Sequence, residues 1–314
     1  KRQDTWNEGN VADVEGYYEN AKINRVYVDR VHVKKAFAEY TAAYNADDPK
    51  IKLKIDHTYR VAALCERIAK AAGMCAYDVE LAWLSGMLHD VGRFEQIKRY
   101  NTFSDADSVD HAKFGADLLF KDGLISTFLN GMVKCTGYKP GALEDRYGSD
   151  GVFLYDRLNK SDMEMLELAI RCHNMYRIPQ GLNRREQAFC NVLRDADKVD
   201  IFKVNIDTPL EEIYNTTTEE LMKSDITDEV LEAFDEEHCI LKAIRRTPAD
   251  TVIGHVSLAY ELVYDESVRI TVEQGYLAKL MHFHSDNEET NRKMAMVREK
   301  MDSYVKKRIG EKYA

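Results

Sequence analysis

The chain has 314 residues, 44 Lys and Arg against 54 Asp and Glu (formal net charge -10), 45% hydrophobic residues, and only 16 Gly and 5 Pro. This composition excludes a basic stripe for a duplex nucleic acid, and no apolar stretch approaches the length of a bilayer span. The scarcity of turn formers argues against an all-β architecture and for long helices. The expectation is an all-α, cytoplasmic protein folding as a single unit over residues 1–314, without a signal-like apolar run in KRQDTWNEGNVADVEGYY.

Residues 30–45 (RVHVKKAFAEYTAAYN) read as a first helix, followed by the break ADDP and a short lead-in, IKLKID. The first strong helix is expected over 57–72, with Val61, Leu64, Cys65, Ile68 and Ala72 on one apolar stripe. His57 lies four residues before Val61 and so on the buried face. The next segment, YDVELAWLSGMLHD, is apolar nearly all round, as a central helix is, and ends in His89-Asp90. A third helix is expected from an N-cap at Ser108, with His111 in its first turn. A fourth starts at the capping box Ser161-x-x-Glu164 and ends at His173. The fifth, over 185–204, puts Asp197 on a stripe with Cys190, Leu193, Ile201 and Val204. An ionised carboxylate on an apolar stripe must pair with a base, shift its pKa or hold a metal.

Residues 205–314 read as further amphipathic helices, including one long segment from TVIGHV to LMHFH, with no catalytic grouping. Their histidines, His238, His255, His282 and His284, follow no ligand spacing. The six cysteines (Cys65, Cys75, Cys135, Cys172, Cys190, Cys239) lack CxxC spacing and read as free thiols, mostly buried.

His57, His89, Asp90, His111, His173 and Asp197 are thus expected on inward-facing positions of successive helices. These nitrogen and carboxylate donors, without thiolate, suit a divalent transition metal (Mn, Fe, Co, Ni or Zn) better than calcium. The order H…HD…D, together with the segments LSGMLHDVGRFEQ and LRDADKVDIF, resembles the HD superfamily of metal-dependent phosphohydrolases over residues 50–205. Outside that core, with its added N-terminal helices and a C-terminal helical extension over 206–314, there is only a general likeness to bacterial HD proteins.

The resemblance implies an HD-domain helical bundle. It implies a metal held by His57, His89, Asp90 and Asp197, with His111 and His173 completing a second ion in the dinuclear arrangement, where the HD aspartate bridges. It further implies hydrolysis of a small anionic, phosphate-containing substrate, with catalytic roles for Asp90 and Arg93; substrate contacts are expected from Arg93 and, by their nearness to the ligands in sequence, from Lys54 and Arg177. Lys52, Arg60, Lys98 and Arg99 are further basic candidates, and the loop YNTFSDADSVD is expected at the mouth of the site. Cyclic dinucleotides are disfavoured: where the branch that cleaves them carries His-His and Gly-Tyr-Pro, this chain reads Cys172-His173-Asn174 and MYRIPQG. Two other readings stay open, an HD-type di-iron oxygenase with the same ligands and a non-catalytic metal-containing binding module.

Overall fold

A computed structural model of the chain describes residues 28–129, 160–214 and 216–311; Cys135 lies outside them. The described residues are helical and contain no strand, in keeping with the all-α expectation. None of their helices is long and apolar enough to cross a membrane. The chain divides into two compact units, one up to Leu193 and one from Arg194.

The first unit contains α1 (Arg30–Thr41), α2 (Pro49–Ala71), α3 (Ala76–Leu88), α4 (Val91–Tyr100), α5 (His111–Ala116), α6 (Ile125–Leu129), α7 (Lys160–Cys172) and the first half of α8 (Arg184–Asp207). Three starts differ from the sequence expectation. IKLKID is not a lead-in: Asp48 accepts from Lys50 N as N-cap and Pro49 takes the first helical position, where a missing N–H costs nothing. Lys54 therefore stands one turn before His57 on the same helix. The cap of α5 is Asp110, which accepts from Lys113 N, and not Ser108, whose hydroxyl bonds Ser104 O and Gln96 Nε2. In α7 the residue Lys160 is already helical, so Ser161 lies within the helix and does not cap it.

α3 is the axis of this unit, with every residue from Leu81 to Asp90 buried. Gly86 lets α2 come against it: a Cβ there would stand 2.6 Å from Ala62 Cα. Phe37 of α1 packs edge-on against Tyr59 at 5.5 Å and Phe94 at 5.8 Å, tying α1 to α2 and α4. A half-buried ion cluster joins the starts of three helices. Arg185 donates to Asp78 at 2.7 Å and to Asp162 at 2.6 Å, and Asp162 also accepts from Tyr77.

The second unit continues along α8 into α9 (Leu210–Tyr214), α10 (Thr218–Lys223), α11 (Asp228–Asp235), α12 (Pro248–Val256), α13 (Asp265–Gln274), α14 (Tyr276–Met281) and α15 (Glu288–Ile309). The long segment TVIGHV to LMHFH is not one helix. It tightens into a 3-10 turn after Val256, and Gly275, at φ 69°, breaks α13 from α14. α13 lacks a cap of its own; Asp195, wholly buried on α8, accepts instead from Val263 N, Tyr264 N and Ser267 Oγ at 2.7–3.0 Å.

α4 and α5 approach as closely as α2 and α3, because Gly92 faces Gly115. A Cβ on Gly92 would stand 2.4 Å from His111 O and 2.7 Å from Gly115 N, both main-chain atoms that no rotamer change can move. Gly92→Ala is expected to force these helices apart, destabilising the protein by about 1–3 kcal/mol. A fall in the urea midpoint at unchanged slope checks this; an unchanged midpoint would contradict the packing.

Candidate metal centre

The break between α3 and α4 presents His89 and Asp90 side by side, and Asp90 makes no side-chain capping bond, which leaves its carboxylate free to face the cluster. The α2–α3 approach sets His57 Nε2 3.3 Å from His89 Nε2. The α4–α5 approach sets His111 beside Asp90, and His173 follows α7 so that its Nε2 lies 3.0 Å from His111 Nε2. All four imidazoles and the Asp90 carboxylate are buried.

Asp90 divides them between its oxygens. Oδ2 lies 3.6 Å from His57 Nε2 and 3.5 Å from His89 Nε2; Oδ1 lies 3.5 Å from His111 Nε2 and 3.8 Å from His173 Nε2. Donors bound at about 2.1 Å to a common ion, at roughly 90–110° to one another, stand about 3.0–3.4 Å apart. The spacings found here are close to that.

The second nitrogen of each ring decides what the first can do. His89 Nδ1 lies 2.8 Å from Gly86 O and His173 Nδ1 lies 2.7 Å from Ile170 O, so each must carry the proton. His111 Nδ1 faces Asp105 Oδ2 at 2.7 Å. In these tautomers the Nε2 atoms of His111 and His173 turn bare lone pairs toward one another, which a cation relieves. The donor set fits a divalent transition metal.

The electrostatics agree. Burial pushes the Asp90 carboxyl up, but Lys54 and the imidazoles of His89 and His111 overcome it and hold the group well below the usual carboxylate range. Burial, aided by Arg93, pushes His111 down to about 4, so the ring is neutral at pH 7. Burial opposes ionisation of Asp105, but the hydrogen bond and charge of His111, with Arg93, keep its carboxyl far below its ordinary value.

Asp197 sits on α8, one turn past Leu193 and so at the start of the second unit. It is only half-buried, and Ile201 and Val204 beside it are half-buried too. The expectation of an aspartate in the middle of a buried stripe needs correcting: the wholly buried carboxylates of this helix are Asp195 and Asp200.

Of the basic candidates, Lys54 is closest, its Nζ 2.7 Å from Asp90 Oδ2. Arg93 Nη1 is shared among Gln96 Oε1, Phe103 O and Asp105 Oδ1 at 2.7–2.8 Å, and its Nε lies 3.8 Å from Asp90 Oδ1 without a hydrogen bond. Arg177 is exposed, its guanidinium over the Tyr176 ring. The sequence places the loop YNTFSDADSVD at the mouth of the site, but nothing in it singles out Asp105. No helical periodicity reaches it, and the only available signal was its place between two ligand-bearing helices. Four of the free cysteines, Cys65, Cys172, Cys190 and Cys239, are buried.

The family model for the HD domain matches residues 55–202, a span that contains all six candidate ligands. No curated protein and no solved structure shows a significant match to the chain.

The depressed pKa of His111 has a consequence for the metal-free protein. Below pH 6.5 the unfolded chain takes up a proton at this residue that the folded chain refuses until about pH 4. Stability should therefore fall as pH drops through that window, by about 1.4 kcal/mol per unit for this group. His255, pushed down to about 3 by burial, adds in the same direction. Urea midpoints that stay level between pH 6.5 and 4 would contradict this.

Proposed function

We propose that this chain, an HD-domain protein over residues 55–202 and so a member of the HD superfamily, is a metal-dependent phosphohydrolase. It acts on a small phosphorylated or nucleotide substrate at a dinuclear centre held by His57, His89, Asp90, His111, His173 and Asp197. The observation that carries this reading is the division of Asp90: one oxygen faces His57 and His89, the other His111 and His173. A carboxylate between two pairs of imidazole nitrogens could serve an ion on either side.

Two divalent ions, when bound, supply an acidified water nucleophile and neutralise the oxygens of a phosphate under in-line attack. The residues of the chain do the rest. Asp90, His89 and His57 fix one side of the centre, and their burial excludes bulk water from it. Lys54, with its side chain 12% exposed and its ammonium at Asp90, is the nearest cation to receive a substrate phosphate oxygen. Arg93 braces the 103–105 segment through Phe103 O and Asp105 and holds its remaining positive charge near Asp90. Arg177 remains the outer candidate for substrate contact.

Elemental analysis is expected to give two transition-metal ions per chain. The loaded protein is expected to release phosphate from members of a phosphomonoester and phosphodiester panel without oxygen. Asp90→Asn, which removes the bridging charge, should lower that turnover by about 10²-fold or more. Failure to release phosphate with Mn, Fe, Co, Ni or Zn would defeat the reading, and oxygen-dependent turnover in its place would establish the di-iron oxygenase instead.

A further inference from the structure

We infer that Asp105 is the positioning residue of the second ion site: it fixes the ring of His111 and binds it to the turn that carries His173. This rests on the dinuclear reading above and deepens it. At Nδ1, His89 and His173 lean on main-chain carbonyls, Gly86 O and Ile170 O, whereas His111 leans on a carboxylate at 2.7 Å. An ionised carboxylate behind an imidazole holds the proton on Nδ1, keeps the Nε2 lone pair directed forward and raises its donor strength.

The carboxylate is itself held from four directions. Oδ1 accepts from Arg93 Nη1 at 2.8 Å and Gln96 Nε2 at 3.0 Å; Oδ2 accepts from His111 Nδ1 at 2.7 Å and Asn174 Nδ2 at 3.2 Å. Those bonds match the acceptor capacity of a carboxylate. Gln96 also donates to Val109 O and Ser108 Oγ, so α4 fixes the loop from which Asp105 projects. Asn174 follows His173 directly and donates a second bond to Asp110 Oδ1 at 2.9 Å, and Asp110 is the cap of α5. The position of His173 is thereby tied to that of His111 through Asp105 and Asn174.

The grouping of Asp105, Asp110 and His111 within 4.8 Å is a support and not a third metal site. Both carboxylates already accept from protein donors: Asp105 as above, and Asp110 from Lys113 N, Lys113 Nζ and Asn174. Asp105 also meets His111 at the ring nitrogen opposite the one facing Asp90, so it acts on the ion position only through the ring. The Asp105 carboxylate bonds His111 and, through Asn174, the turn of His173, both on the Oδ1 side of Asp90, so its loss should fall on one ion alone.

The test is a titration of metal-free protein with Co²⁺, read by heat and by the visible absorption of the bound ion. Wild type is expected to bind in two steps. Asp105→Asn, which keeps the shape and removes the charge, should leave the first step within about twofold and weaken the second by about 10–100-fold, the range for loss of an outer carboxylate. An unchanged second step overturns the inference, and so does equal weakening of both steps, which would mark a merely structural role. A wild type that binds in a single step overturns the dinuclear reading and the inference with it, and is distinguished because it needs no variant. If metal-free Asp105→Asn does not fold, Asn174→Ala, which removes one donor from Oδ2, serves in its place. A several-fold loss confined to the second step supports the link, and no loss overturns it.

Discussion

A carboxylate at 2% exposure, at the end of a helix buried on every side, is the constraint to which the rest of the first unit answers. Moving an ion of this kind out of water costs several kcal/mol unless partners replace its hydration. Asp90 finds those partners in the Lys54 ammonium at 2.7 Å and in imidazole nitrogens around both oxygens. Every one of these groups comes from a different turn of the chain, so satisfying one side chain fixes α2, α3, α4, α5 and the end of α7 against each other. Packing and electrostatics are here one requirement, because the helices cannot slide without stranding a buried charge.

The backbone meets that requirement at two close approaches. Gly86 against Ala62 and Gly92 against Gly115 leave no room for a Cβ, and each lies within a turn of a residue in the cluster: Gly86 before His89, Gly92 after Asp90. Side chains of ordinary size at those positions would separate the helix axes by the width of a methyl group or more. Nitrogens now 3.0–3.3 Å apart would then no longer converge on a common point. The glycines set the size of the cluster, and the imidazole tautomers set its direction.

Much of this was legible in the sequence because it follows helical periodicity. His57 on the stripe of Val61, Leu64, Cys65 and Ile68, and the HD pair ending a segment apolar all round, needed only the 3.6-residue repeat. What was not legible depends on partners distant in sequence. Asp195, Asp197 and Asp200 share one helix, and nothing local distinguishes the one that caps α13 from the other two. Asp105 sits in a loop, where no period applies, and its role emerges only once α5 and α7 bring His111 and His173 together. The Asp48-Pro49 pair reads as a break in the sequence although it is a helix start, since proline interrupts a helix from within but opens one at its first position.

The charge balance of the cluster connects this architecture to the kind of molecule it would receive. Asp90 is matched by Lys54 and Asp105 by Arg93, and His111 is neutral at pH 7, so these groups are close to neutral without any ion. Divalent ions added to such a site bring positive charge that Asp197 offsets only in part. The loaded centre would then be a local positive spot in a chain of net charge -10. Acidic surroundings repel anions in general, so an anionic substrate gains its attraction only at close range, where the ions, Lys54 and Arg93 act together in a low-dielectric setting. A compact phosphate group, able to lie against several cations at once, meets that condition better than an extended polyanion does.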